Sequence, residues 1–195
     1  MKKNFARLFL FAALFTLVFA ACKKEKNDTP TENANEEITT LKLTFTNAAN
    51  AADVVTATWK DLDGIAGNPP VIDKINLKVN TTYNVTTELL DERKNPADNV
   101  TAEIEEEGDE HRVFHLFYTT ATAAVKDSLS TVATVTPLDK DSKNLPIGLK
   151  ISMATKAAAF TGFLNVVVRH QPGAKDGTYA PGSTDVLTIF PVEIK

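Results

Sequence analysis

Apolar residues recur at every second position through most of the chain after Ile38, and that rhythm restricts the fold more than any single motif. "LKLTF" sets Leu41, Leu43 and Phe45 on one face, "VVTATW" sets Val55, Ala57 and Trp59 on one face, and "INLKV" alternates Ile75, Leu77 and Val79. "YNVTTEL", "VFHLFY", "LSTVATV", "GLKISM", "FLNVVV" and "VLTIFPVEI" follow, about nine candidate strands in all. A period of two is the signature of strands with one buried face. The intervening loops are rich in Asp, Asn, Gly and Pro, and no alternation of strands with helices is visible. The expectation is an all-β fold: a single antiparallel β-sandwich, Ig-like or jelly-roll-like, over residues 38–195. One helix is expected in a loop. In "NPADNVTAEIEEEGDEH", Asn95 can cap, Pro96 suits the first turn, Val100 and Ile104 lie one turn apart, and Gly108 ends the segment.

The beginning of the chain has a different character. "MKKNFAR" carries three cations and no acid, and 12 apolar-patterned residues, "LFLFAALFTLVF", precede Ala20 and Ala21. This is the layout of a secretory signal over residues 1–21, with a run too short to span a bilayer as a helix. Cys22, the only cysteine, follows directly, so no intrachain disulfide can form and stability must come from the core. Residues 22–37 hold a polar stretch, "KKEKNDTPTENANEE", whose single apolar residue is Ala34. Such a segment cannot bury enough surface to offset the entropy of ordering, and it reads as a tether. As a coil, 15 residues reach roughly 20 Å.

Loss of residues 1–21 would leave 18 basic residues against 25 acidic ones, a formal charge of −7. An acidic surface argues against nucleic acid as a partner.

Three groups of residues carry candidate chemistry. "EIEEEGDEHRVFH" brings Glu107, Glu110, His111 and His115 close in sequence, and "VVVRHQPG" places His170 at a strand end. Imidazole and carboxylate together suit zinc or another divalent ion. His111, His170, Glu107 and Glu110 are the candidates, against the alternative of a solvated helix end and a hydrogen-bonded strand-end histidine. His115 shares a face with Val113 and Phe117 and reads as packing. Two loops, "DLDGIAGNPP" and "DKDSKNLPIG", hold Asp61 with Asp63 and Asp139 with Asp141 at a spacing that calcium sites use, although neither follows the EF-hand pattern and both suit plain turns. Tyr179, in "KDGTYAPGSTD", is either a binding-loop contact or a loop anchor. No nucleophile elbow, no metalloprotease helix motif and no phosphate-cradling glycine loop is present, and Ser128, Ser130, Ser142, Ser152 and Ser183 stand in no diagnostic context.

Two resemblances add expectations. Cys22 after two alanines resembles the lipobox of bacterial lipoproteins, with Phe19 where leucine is usual; this implies lipidation of Cys22 and a membrane anchor. The stretches "DLDG", "NTTYN", "LLDERKNPADNVTAEIEEEGDEH", "NLPIGL" and "VVVRHQPGAKDG" together resemble a family of small lipoproteins of Bacteroidota, from about Thr58 to the C-terminus. Such proteins sometimes carry the label of a type 1 periplasmic-binding fold. That fold needs two α/β lobes, which this pattern does not supply. The resemblance implies an outer-membrane lipoprotein, on the periplasmic or the cell-surface side, with a role accessory to uptake and a transporter as partner. It also implies that Ile65 and Ala66 stand where relatives continue D-L-D-G-D-G-G, weakening any calcium loop there. The expected function is therefore a non-enzymatic, lipid-anchored envelope module that binds a ligand or partner without an organic cofactor. The alternative is a metal-binding accessory lipoprotein.

Overall fold

The computed structural model describes residues 36–64, 67–122 and 124–195. All of them belong to one compact unit. Cys22, the signal and most of the tether lie outside the described residues.

Among the described residues, ten strands form two sheets. The strands are β1 (Thr40–Asn47), β2 (Val54–Lys60), β3 (Val71–Ile72), β4 (Ile75–Leu77), β5 (Thr82–Leu90), β6 (His111–Tyr118), β7 (Ala133–Pro137), β8 (Lys150–Thr155), β9 (Phe160–His170) and β10 (Ser183–Ile194), with one α-helix, α1 (Val100–Glu106), and a single 3-10 turn at Val125–Asp127. Sheet I runs β3-β2-β1-β5-β8-β7 and sheet II runs β4-β10-β9-β6. The all-β sandwich expected from the alternation is the fold observed. It departs from a wholly antiparallel arrangement at one pairing, because β4 runs parallel to the end of β10, Ile75 opposite Val192 and Leu77 opposite Ile194. More than a hundred residues separate those strands, so no hairpin constrains their direction.

The alternation explains the core. Leu41, Leu43, Phe45, Ala57, Tyr83, Val85 and Leu89 of sheet I face Ile75, Val113, Phe117, Leu164, Val166, Val168 and Phe190 of sheet II, all buried. Each such large side chain contributes about 1.5–3 kcal/mol by leaving water. His115 belongs to this layer: its Nε2 lies 3.2 Å from the Thr87 hydroxyl on the opposite sheet, and burial pushes it down to about 3. It packs in the core, as its face in the sequence indicates.

The helix begins later than the Asn95–Pro96 signal suggests. Residues 91–98 instead form a loop closed by a bridge between Asp91 and Asp98 and by the pairs Arg93–Asp91 and Lys94–Asp98. Asn99 precedes the first turn without a side-chain cap, and Val100 and Ile104 are the helix's buried face. Thr101 Oγ1 accepts the Leu89 N–H at 2.7 Å and ties α1 to the end of β5.

Candidate metal centre

Register decides which residues meet at the end of sheet II where β6 begins and β9 ends. His111, the first residue of β6, pairs directly with His170, the last of β9, and the inward row continues as Val113 opposite Val168 and Phe117 opposite Leu164. The two imidazoles therefore emerge side by side on the inner face. They lie parallel, 3° apart, with ring centroids 4.7 Å from each other.

β10 supplies the third group through an irregularity. Thr184 opposes Arg169 and Val186 opposes Val168, so Asp185 is an extra residue in the ladder. A bulge of this kind re-aims a side chain that alternation would have sent elsewhere, and bulges cluster near functional sites. The Asp185 carboxylate is fully enclosed, with one oxygen 3.8 Å from His111 Nε2.

Protonation follows from the neighbours. His111 Nδ1 lies 3.2 Å from the Glu107 carbonyl at the end of α1. A carbonyl only accepts, so Nδ1 carries the proton and Nε2 presents a lone pair. Burial pushes His111 down to about 4, so it is neutral at pH 7. Burial raises Asp185 to about 6, with His170, the Glu36 backbone N–H and Arg169 opposing, so it is mostly ionised at pH 7. His111 Nε2 and both Asp185 oxygens lack a well-formed hydrogen bond, the Glu36 N–H near Asp185 not meeting the geometry of one. Two acceptors thus face each other across 3.8 Å with no donor between them. Burying polar atoms unpaired costs about 1–3 kcal/mol each, and a cation shared between them removes that cost.

More carboxylates converge here. Glu36, Glu107 and His111 bring ligand atoms within 4.8 Å of one another, the only such group of three among the described residues. Glu36 is pushed up to about 7, by burial first and then by Glu103, Glu107 and Asp185. His170 Nε2 lies 3.6 Å from Glu110, and its Nδ1 is buried without a partner. Zinc bonds of about 2.0–2.2 Å to nitrogen and oxygen place tetrahedral ligands about 3.3–3.6 Å apart, so a closing of roughly 0.2–0.5 Å brings His111 and Asp185, 3.8 Å apart, to that spacing. The His111 Nδ1–H held by a carbonyl is also the outer-shell contact that orients metal-binding histidines.

The surrounding loops are braced. Lys175 donates to the Gly108 carbonyl at 2.6 Å and pairs with Asp141 at 2.8 Å, both side chains enclosed. Gly182, at φ +77°, lies so close to the His170 carbonyl that a Cβ would collide with it.

Of the residues singled out from sequence, His111, His170, Glu107 and Glu110 meet at this end of the sandwich. The aspartate pairs do not join them as ligands. Asp61 accepts the Gly64 N–H, and Asp63 accepts both the backbone and side-chain N–H of Asn68. Asp139 accepts from Gly148 and Lys150, while Asp141 accepts from Lys143 and Leu145 besides its pair with Lys175. These carboxylates brace their own turns, the ordinary use of Asp in loops. Tyr179 is a loop anchor: its ring meets Phe114 at 5.1 Å, and the Arg169 guanidinium lies 4.8 Å over it.

Asp185 and Glu36 are the residues that sequence reasoning passed over. A strand boundary at Val186 hides the bulge, and Glu36 sits in the stretch assigned to the tether. The described chain instead has Glu36 half-buried against the cluster and Glu37 paired with Arg93 at 2.6 Å. Apolar content alone misses a segment held by charge.

Compared with known proteins, the chain matches no family model, no curated protein and no solved structure. Among the described residues no helix is long and apolar enough to cross a membrane.

Proposed function

We infer that this chain is a divalent-metal-binding module of the cell envelope, anchored through Cys22. The observation that carries the reading is the buried, neutral His111 Nε2 facing the buried Asp185 carboxylate with no donor between them. Glu36 and Glu107, whose ligand atoms gather with that of His111, are the carboxylates that a cation would draw in to close the shell, and His170 with Glu110 flank it. An imidazole ligand favours zinc and its neighbours over calcium or magnesium, which prefer all-oxygen shells. The role is binding rather than turnover, in keeping with a sequence that has no recognisable nucleophile motif. The signal-like start and the lipobox resemblance at Cys22 support the envelope address, and uptake through an outer-membrane transporter is a process such a module would serve.

The test is competition for Zn2+ against a chromophoric chelator, comparing the purified protein with His111→Ala and Asp185→Asn. Each variant is expected to lose about 10- to 100-fold or more in affinity while keeping the parent's β-sheet circular dichroism, in line with the 10- to 100-fold cost of even an outer-shell change. Zinc affinity unchanged in both folded variants refutes the assignment.

A further inference from the structure

A cavity of about 370 Å3 adjoins the cation site, within the size range of small-molecule pockets. Two of its walls run directly into cation ligands. One is the strap Glu37, Ile38 and Thr39, which continues Glu36; the other is the start of β10, where Asp185 itself, Val186 and Leu187 line the space. Trp59 lines it from sheet I, 8 % exposed. Leu62 and Leu187, 46 % and 48 % exposed, also line it and are two of only five large apolar side chains left exposed among the described residues. Exposed apolar groups gathered at one cavity indicate a ligand rather than scatter.

The charges around it select a head group. Its one cationic side chain, Arg93, is paired with Glu37 at 2.6 Å and Asp91 at 3.0 Å, which leaves Asp61 as a lining carboxylate in no ion pair among the described residues. An anionic ligand would meet carboxylates without an uncommitted cation. A protonated amine would meet the opposite charge.

The geometry points to a second binding site here, for a compact molecule with an apolar body and a protonated amine, coupled to the cation site through the Glu36–Thr39 strap and the β10 bulge. The coupling rests on the cation reading above. A metal that holds Glu36 and Asp185 fixes two cavity walls in advance, and a second ligand that no longer has to order them binds more tightly. A coupling of typical size is roughly 5-fold or more in affinity.

Trp59 is the only tryptophan in the chain and reports on the cavity directly. Phenethylamine, with 3-phenylpropionate as its anionic counterpart, is titrated into the purified protein, zinc-loaded or treated with EDTA, and Trp59 emission is followed. Zinc loading is read separately by chelator competition. The expected result is a saturable change with the amine, at least about 5-fold tighter with zinc, weaker with the acid, and lost in Leu187→Lys, an exposed position where substitution leaves the core intact. No saturable change with the amine, equal binding of the acid, or binding unchanged in Leu187→Lys overturns the cavity assignment. Amine binding that is equal with and without confirmed zinc loading overturns the coupling. Failure to load zinc overturns the cation reading instead, and with it the coupling.

Discussion

Replacing Asp185 with Asn should stabilise the metal-free protein, although the same change should weaken its response to zinc. Burial raises the carboxylate from 3.8 to about 6. A carboxylate with a folded pKa above its unfolded value favours the protonated form in the fold, so its ionisation opposes folding. That cost is absent below pH about 4, grows between about 4 and 6, and is complete above 6. At 1.36 kcal/mol per unit, the full effect is about 3 kcal/mol. The side chain is enclosed but the residue as a whole is only half-buried, and nearby solvent trims this to about 2 kcal/mol. An amide in the same place still lacks good partners, so a net gain of about 1.5 kcal/mol remains. For a domain of this size that is roughly 3 to 6 °C in midpoint. The assay is thermal unfolding in EDTA from pH 4 to 8, parent against Asp185→Asn. The difference should be near zero at pH 4 and reach its full value above pH 6. With zinc in large excess over the parent's dissociation constant the order should reverse, because the variant's about 10- to 100-fold weaker binding gives it the smaller gain. A variant less stable in EDTA at pH 8, by an amount that does not change with pH, would refute the reasoning.

Other expectations follow from the same structure. Lys175→Met leaves the enclosed Asp141 carboxylate without its ion pair and should cost about 3 kcal/mol in urea unfolding. Gly182→Ala adds both a strained positive φ and a collision with the His170 carbonyl; a loss of about 2–4 kcal/mol is expected, with zinc affinity falling as His170 shifts. Millimolar calcium should leave the melting point unchanged, since the carboxylate oxygens of Asp61, Asp63, Asp139 and Asp141 serve their own turns. Cys22→Ser should move the protein from the membrane pellet to the soluble fraction of lysed cells; retention in the pellet would count against the anchor.

The sheets are legible in the sequence because burial alternates where hydrophobicity does: Leu41, Leu43 and Phe45 are all fully buried. β3 escapes notice, since two residues after Pro69 and Pro70 carry no period. The site is legible only in part. His111 and His170 stand out by residue type, yet their contact depends on β6 and β9 being neighbours in register, which one strand's pattern does not encode. Asp185 enters through a bulge, a property of two strands together. For the four loop aspartates the sequence shows acceptors but not the N–H groups they accept from. Glu36 is invisible to a criterion that weighs apolar surface alone, because carboxylates and a histidine surround it.

The central claim is that one divalent cation sits between His111 and Asp185, and anomalous diffraction from zinc-soaked crystals at the zinc edge tests it most directly. The expected map has a single strong peak about 2.0–2.2 Å from His111 Nε2 and from an Asp185 oxygen, with Glu36 or Glu107 completing the shell. A map with no peak there, or with zinc only at exposed carboxylates elsewhere, would contradict the account.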